Sequence, residues 1–239
     1  MTPPAPTPAI DRRRPLKLLG AVAIFVAMVG GYAILAARHA ADAPLPGSET
    51  PAGPCTIWFV GSSTIARWST LGGDMAGWDA RRRGVDGALI PTLTHRLQHE
   101  PQGPAPLAIV FYGGENDIAA GASAADTASA FRAFLAAKVA QVGATPMIAL
   151  TLKPSPARSV NQPQHVLFDD WLTRFAARRP DLAVVDIRSA MLAGEAPGAF
   201  FVEDGIHMNP AGYALWTARI RQALAAIVPP GRRAACRAG

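Results

Sequence analysis

The stretch Trp58–Trp68, WFVGSSTIARW, decides how this sequence is interpreted. It completes an apolar run, TIWFVG at 56–61, and then gives way to two serines. A short run of continuously apolar residues is typical of a strand that is buried on both faces of a sheet. Ser62 and Ser63 therefore follow a predicted buried strand. A serine acts as a nucleophile only with a base, a group that orients the base and donors for an oxyanion, so the rest of the chain must supply them.

Apolar runs alternate with amphipathic stretches from residue 55 onward. Runs similar to the first occupy 107–114, 145–152 and 182–187, and a weaker strand is predicted around Ala80–Arg83. Strand, helix, strand alternation predicts an α/β fold, a three-layer α/β/α sandwich with a parallel sheet in the middle. The helical patterns predict two apolar stripes, one of Ala130, Phe131, Phe134, Leu135 and Val139 and one of Leu167, Trp171, Leu172 and Phe175.

Polar or glycine-containing loops follow the predicted strands. They are Gly61–Ser63, Gly84–Ala88, Gly114–Asp117 and, after the last strand, Glu203–Asn209. Ligands of open α/β sheets bind beyond the carboxyl ends of the strands, so the topology alone brings these four loops to one edge. The last loop ends at Asn209, an N-cap candidate, with Pro210 at the first position of a predicted final helix.

His207 is the strongest candidate base in the chain. Asp204 lies three residues before it, a spacing that lets a loop place the carboxylate against one ring nitrogen and leave the other free to take a hydroxyl proton. The alternative is that Asp204 and His207 only cap a turn before the last helix. His95 and His99, spaced i and i+4, could share a helix face as metal ligands, but no third ligand lies nearby in the sequence, so we expect no metal site. No organic cofactor is implied either.

Two residues are candidates for the oxyanion hole. Asn116 offers a side-chain NH2 group, and the main-chain N–H of Gly87 is accessible because glycine has no side chain that blocks approach. Taken singly, each is equally compatible with an ordinary turn.

Together and in this order, these four loops resemble the SGNH (GDSL) hydrolase family, over about residues 55–228. The resemblance implies a flavodoxin-like fold, with Ser63 rather than Ser62 as the nucleophile, Asp204 and His207 as its partners, and the N–H groups of Ser63 and Gly87 and the Asn116 amide as the oxyanion hole. Segment KPSPAR (153–158) resembles one bacterial branch of the family, and Lys153 and Arg158 are its candidate substrate-positioning residues. The sequence departs from the family at Ser62, where aspartate is commonest, and at Arg82, where asparagine is usual.

The resemblance implies a serine esterase that acts on a lipid or carbohydrate ester. A second interpretation is transfer or removal of acetyl groups on an envelope polysaccharide, and a third is a catalytically silent binding module held at a membrane. The full set of Ser63, Asp204, His207, Asn116 and Gly87 argues against the third. The formal net charge of +6 invites a nucleic-acid interpretation, but the arginines are dispersed and not interleaved with aromatic residues, so no nucleic-acid partner is expected. Nothing in the sequence indicates the oligomeric state.

The N-terminal region differs in composition from the rest. Residues 1–17 are rich in proline and then basic, and 18–37 form an uncharged run long enough to span a bilayer. Because the basic cluster comes first, we expect a single-pass signal-anchor helix in the inner membrane and a catalytic domain on the periplasmic side. The alternative is a cleaved signal peptide and a secreted protein. Residues 38–54 are predicted to be a linker, and 229–239 a C-terminal tail.

Cys55 and Cys236 are the only cysteines. Cys55 precedes the first strand, at the amino end of the sheet, and a final helix of about eighteen residues runs about 27 Å back to that end. An exported domain meets an oxidising environment, so we predict a disulfide between them. The alternative is two unpaired cysteines.

Overall fold

Five parallel strands form one sheet in the computed structural model, which describes residues 42–193 and 196–237. The strand order is β2-β1-β3-β4-β5, and each neighbouring pair is parallel. This order is the flavodoxin-like one, and the predicted parallel α/β fold is therefore confirmed. The strands are β1 (Thr56–Gly61), β2 (Asp79–Gly84), β3 (Ala108–Tyr112), β4 (Met147–Leu150) and β5 (Leu182–Val185).

Helices connect the strands in the described part of the chain. They are α1 (Ser63–Ala66), α2 (Leu71–Asp74), α3 (Ile90–Gln98), α4 (Glu115–Ala119), α5 (Ala124–Val142), α6 (Gln162–Ala176), α7 (Ile187–Leu192), α8 (Pro210–Ile227) and α9 (Pro230–Arg237). Two 3-10 helices, Pro156–Asn161 and Pro197–Phe200, lie between β4 and α6 and between α7 and α8.

Successive residues of β3 show the three layers. Phe111 packs against Phe134 of α5, with ring centroids 4.3 Å apart, and Tyr112 packs against Trp216 of α8 at 4.8 Å. Since neighbouring side chains of a strand point to opposite faces, α5 and α8 cover opposite faces of the sheet. The apolar residues of the central strands are buried between these layers, as their continuous apolar runs predicted.

The predicted helix faces are correct in part. Phe131, Phe134 and Leu135 of α5 are buried, but Val139 is 49% exposed and was wrongly assigned to the apolar stripe. On α6 Leu172 is buried, whereas Leu167 is 55% exposed. The buried face of α6 includes two polar residues, His165 and Asp169, together with Phe168, Leu172 and Ala176. A prediction that buries only apolar residues therefore misplaces one side of the buried face of this helix.

The start of α8 follows the sequence prediction. The side chain of Asn209 accepts a hydrogen bond of 3.1 Å from the N–H of Gly212, and Pro210 occupies the first helical turn. The cap fixes where the helix begins, three residues after His207. Because α8 is 18 residues long, it crosses the whole domain and returns the chain to the amino ends of the strands.

Cys55 and Cys236 form a disulfide, with Cα atoms 5.5 Å apart, so the predicted bridge is present. Cys236 belongs to α9, a helix inside the segment 229–239 that was predicted to be a tail. Within the predicted linker 38–54, Leu45 and Ala52 are buried in the domain core. The predicted basic segment 1–17 and membrane helix 18–37 lie outside the described residues. Among the described residues, no helix combines the length and the apolar character that crossing a membrane requires.

Candidate active site

Ser63 begins α1 directly after β1 ends. Ser62 is the N-cap of this helix, and its carbonyl accepts hydrogen bonds of 3.0 Å from the N–H groups of Ile65 and Ala66. Gly61 is required at the strand end, because a Cβ there would lie 2.4 Å from the carbonyl oxygen of Tyr112. The strand and the short helix together place Ser63 at the carboxyl edge of the sheet. Ser62 is 5% exposed, whereas Ser63 is only partly buried.

Ser63 meets His207 across 144 residues of sequence, with Ser63 Oγ 2.9 Å from His207 Nε2. The other ring nitrogen, Nδ1, lies 2.5 Å from Asp204 Oδ2. An ionised carboxylate can only accept, so Nδ1 carries the proton and Nε2 presents a lone pair to the serine hydroxyl. This is the arrangement in which a serine is activated by a histidine that a carboxylate orients.

The loop Glu203–Asn209 holds Asp204 with both of its oxygens. Oδ1 accepts hydrogen bonds of 2.8 Å from the N–H groups of Ile206 and His207, while Oδ2 faces the imidazole. Desolvation raises the pKa of the Asp204 carboxyl, but hydrogen bonds from the His207 ring and from these two N–H groups outweigh it and keep the pKa well below its usual range. Asp204 therefore caps the turn, as one alternative had it, and contacts the base as well.

Gly87 and Asn116 lie beside each other at the same edge. Gly87 has φ +70°, a conformation that favours glycine, and the space where a Cβ would stand is open. The Asn116 amide donates a hydrogen bond of 3.0 Å from Nδ2 to the carbonyl of Ala88, the residue after Gly87. Its Oδ1 accepts a hydrogen bond of 2.9 Å from Arg158 Nη2. The structure thus brings the two candidate oxyanion donors together, Gly87 in the loop between β2 and α3 and Asn116 in the first turn of α4.

The model of the GDSL-like lipase/acylhydrolase family matches residues 55–215, well over half of the chain. The chain belongs to this family. It is accordingly a hydrolase that acts on ester bonds. A search of curated protein sequences finds no match.

Solved structures of similar fold include a member of the lipolytic G-D-S-L family from Veillonella parvula, at 14% identity and TM-score 0.61, covering 71% of this chain and 98% of that one. A GDSL-like lipase from Bacteroides thetaiotaomicron is 20% identical, with TM-score 0.60 and coverage of 82% and 97%. A carbohydrate esterase family 3 protein from Talaromyces cellulolyticus is 15% identical, with TM-score 0.59 and coverage of 72% and 97%. At these identities the likeness shows the fold, which matches that of GDSL hydrolases.

Lys153 does not have the position that a substrate-contacting residue of this GDSL hydrolase needs. Its side chain is 0% exposed and forms an ion pair with Glu115, so a substrate does not reach it directly, and its role in substrate positioning stays a prediction. Arg158, the second candidate, is 17% exposed and contacts Asn116. The sequence pattern did not distinguish the two because both are long cations in one loop.

Glu115 was missed by the sequence interpretation. It is buried directly before Asn116, where it accepts hydrogen bonds from Tyr112 Oη at 2.6 Å and Ser155 Oγ at 2.5 Å. Desolvation raises the pKa of the Glu115 carboxyl, but Lys153 together with these hydroxyls lowers it below its usual range. A charged residue directly after the apolar run 107–114 is the signal that could have identified it.

Arg67 was missed as well. It lies one helical turn after Ser63, with Nη1 3.3 Å from His207 Nδ1 and Nε 3.1 Å from Asp86 Oδ1. Both Nη1 and the protonated Nδ1 are donors, so the first contact places a positive charge beside the imidazole without a hydrogen bond. Of the pair considered as metal ligands, His95 lies on α3 and His99 is the C-cap residue of this helix, and their ring centroids are 4.4 Å apart.

Proposed function

We propose that the protein is a serine esterase that cleaves carboxylic esters through an acyl-enzyme on Ser63. The observation that carries this proposal is the continuous contact from Ser63 Oγ through the His207 ring to Asp204, at 2.9 and 2.5 Å. A turn that only capped α8 would not need the imidazole to face a serine at the end of β1. The hydrolysis of esters by the family supports the reaction type.

The geometry supports a two-step reaction. Ser63 Oγ attacks the ester carbonyl carbon while His207 Nε2 takes its proton, and the Asp204 carboxylate stabilises the imidazolium that forms. His207 then returns the proton to the leaving alcohol, which departs as the C–O bond breaks. A water molecule, deprotonated by His207, attacks the acyl-enzyme in the same way, and the acid is released with Ser63 restored.

The negative charge of each tetrahedral intermediate needs fixed donors. We assign this role to the main-chain N–H groups of Ser63 and Gly87 and to the side-chain NH2 of Asn116. The Ser63 N–H lies at the N-terminus of α1, and the Gly87 backbone is open to approach. A donor of this kind typically contributes a factor of about 10²–10³ to kcat.

Two substrates are candidates, and they differ in both the acyl group and the alcohol of the ester. One is a lipid acyl ester, and the other is an O-acetyl group on a polysaccharide of the cell envelope. The second is tested beside the first because a carbohydrate esterase from Talaromyces cellulolyticus has a similar fold. The uncharged run 18–37 supports a related proposal, that the domain is anchored in the inner membrane and works on its outer side.

Hydrolysis of a chromogenic ester series by the purified full-length protein tests the proposal. Acetyl, butyryl, octanoyl and palmitoyl esters are compared at equal concentration, and release of acetate from O-acetylated polysaccharide is measured in parallel. The Ser63→Ala variant, purified identically, is the control for contaminating esterases. A preference for acetyl esters and release of acetate would support deacetylation, and a preference for long chains would support a lipase. Equal background rates for wild type and variant would identify a silent binding module instead.

A further inference from the structure

The amide of Asn116 has a defined orientation. Its Oδ1 accepts a hydrogen bond of 2.9 Å from Arg158 Nη2, and its Nδ2 donates one of 3.0 Å to the carbonyl of Ala88. A side-chain amide carries two N–H donors, so one N–H of Nδ2 is left for another acceptor. This N–H is the group that the proposed function needs at the oxyanion.

A flipped amide would face unfavourable partners on both sides. Nδ2 would point its hydrogens at the guanidinium of Arg158, which has only donors, and Oδ1 would face the carbonyl of Ala88, which only accepts. Ala88 alone favours the observed orientation with one hydrogen bond. Arg158 adds a second, charge-assisted bond, and hydrogen bonds of this kind are about twice as strong as neutral ones.

Arg158 also contacts Glu115, the residue before Asn116. Its Nη1 lies 3.8 Å from Glu115 Oε1, beyond hydrogen-bond distance but close enough for charge pairing. The Glu115 carboxylate is fixed by Ser155 Oγ and Tyr112 Oη and forms a buried ion pair with Lys153. Glu115 and Asn116 are adjacent in sequence. The network therefore connects the backbone next to Asn116 with Arg158, the residue that orients the Asn116 amide.

The segment Lys153–Arg158 also contacts the loop that carries Asp204 and His207. The N–H of Ala157 donates a hydrogen bond of 3.2 Å to the carbonyl of Gly205, between Asp204 and His207 in the chain. Gly205 has φ +63°, and a Cβ there would lie 3.2 Å from the Ala157 nitrogen, so the two segments are in close contact. The segment Lys153–Arg158 therefore links the oxyanion donor to the loop that carries the base.

We propose that Arg158 is a positioning residue that acts through Asn116: it holds the amide so that the free N–H points to the oxyanion, and its charge makes that N–H a stronger donor. The second effect follows because donation to Oδ1 polarises the amide, and hydrogen bonds in a chain strengthen one another. The inference rests on the proposed function. It differs from the sequence interpretation, in which Arg158 is a candidate for positioning the substrate.

A double-mutant cycle distinguishes action through Asn116 from a direct role of Arg158 in positioning the substrate. Arg158→Ala, Arg158→Lys and Arg158→Gln are each prepared in the wild-type chain and in Asn116→Ala, and kcat and KM are measured on an activated ester. If Arg158 acts through Asn116, Arg158→Ala lowers kcat by about 10–100-fold with KM within about 3-fold, a loss no larger than that of an oxyanion donor itself. In the Asn116→Ala background the same change lowers kcat by less than about 3-fold. Arg158→Lys and Arg158→Gln, which keep a donor, recover part of kcat.

Two further measurements distinguish a loss of activity from a loss of folded protein. Thermal unfolding is measured for every variant, and Arg132→Ala, an arginine of α5 that lies over the Trp171 ring, serves as the matched control with kcat unchanged. Equal losses in both backgrounds, or a loss that appears mainly in KM, would overturn the inference while leaving the esterase intact. A wild-type protein that hydrolyses no ester and is not labelled at Ser63 by a fluorophosphonate would overturn the proposed function, and this inference with it.

Discussion

The hydroxyl of Tyr213 donates a hydrogen bond of 2.9 Å to the main-chain carbonyl of Thr64, the residue after the candidate nucleophile. Tyr213 lies in α8, the helix that begins shortly after His207, and its ring packs against Trp68 with centroids 5.1 Å apart. The nucleophile helix α1 has four residues, too few to be stable without tertiary contacts. The helix that follows the base therefore also holds the helix that carries the serine.

Replacing Tyr213 by phenylalanine removes this hydrogen bond and keeps the ring. We expect a loss of about 1–3 kcal/mol in the free energy of unfolding, because the buried carbonyl of Thr64 loses its partner, and a kcat a few-fold lower, because Ser63 is less well fixed. Urea unfolding and ester hydrolysis measure the two effects. Tyr213→Leu, which also removes the aromatic contact with Trp68, should cost more. A phenylalanine variant as stable as the wild type would contradict the role of the hydroxyl.

Two neighbouring serines allow a matched test of the nucleophile. Ser63→Ala should lower kcat by about 10³-fold or more, because it removes the atom that forms the acyl-enzyme. Ser62→Ala should have a mild effect, since Ser62 is buried and contributes its carbonyl rather than its side chain to the start of α1. Mass spectrometry after reaction with a fluorophosphonate locates the label. Labelling of Ser62, or of neither serine in active protein, would show that the assignment is incorrect.

The disulfide should stabilise the domain without contributing to catalysis. Cys55 precedes β1, so the bond lies at the amino end of the sheet, opposite the candidate active site. It closes a loop with a sequence separation of 181, for which the chain-entropy argument gives at most about 5 kcal/mol. The variant with both cysteines changed to serine should unfold at lower temperature and, while folded, keep its kcat/KM. Free thiols at both positions in exported, unreduced protein would refute the bond.

His165 should make stability depend on pH. It is fully buried in α6, and in the part of the chain that the structure describes neither ring nitrogen has a hydrogen-bond partner. Burial lowers its pKa to about 4, below the value of about 6.5 in the unfolded chain. Between pH 4 and pH 6.5 the unfolded state therefore binds more protons than the folded state. The free energy of unfolding is highest above about pH 6.5 and decreases by about 3 kcal/mol in total as the pH falls through about 4.

Comparison of His165→Gln with the wild type measures this contribution. The difference in unfolding free energy between pH 7 and pH 4 should shrink in the variant, which has no titrating group at this position. Asp169 in the same helix has its pKa raised to about 8 by burial, and its contribution has the opposite sign. The contribution of Asp169 is present in both proteins and cancels in the comparison. The Asp169→Asn variant measures that contribution separately. An unchanged pH dependence in His165→Gln would show that the histidine is not responsible.

The proposed membrane anchor predicts a topology. A reporter enzyme that functions only outside the cytoplasm, fused after Gly239, should be active, and one that requires the cytoplasm should be inactive. The protein should stay in the membrane fraction after an alkaline wash, because 18–37 is uncharged and long enough to span the bilayer. Soluble protein with a new N-terminus near Pro44 would instead establish a cleaved signal.

The sequence predicted the sheet and the edge that carries the candidate active site, because both follow from local patterns. TIWFVG at 56–61 is β1 to the residue, and Asn209 with Pro210 fixes the start of α8. The polar interior was not predictable in the same way. Glu115, Lys153 and His165 are types of residue expected at the surface. Glu115 and Lys153 are buried as an ion pair whose members lie 38 residues apart in the chain. Only the folded structure brings such partners together.

The bond between Cys55 and Cys236 also turns the domain into a closed ring. A ring has no end from which strands can unravel, and a single proteolytic cut in an exposed loop opens it into a linear molecule without releasing a fragment. Cys55 and Cys236 have Cα atoms 5.5 Å apart, so the chain could be joined near this point and given a new start and finish in another loop by circular permutation. The candidate active site lies at the other end of the sheet, so the ring closes away from it.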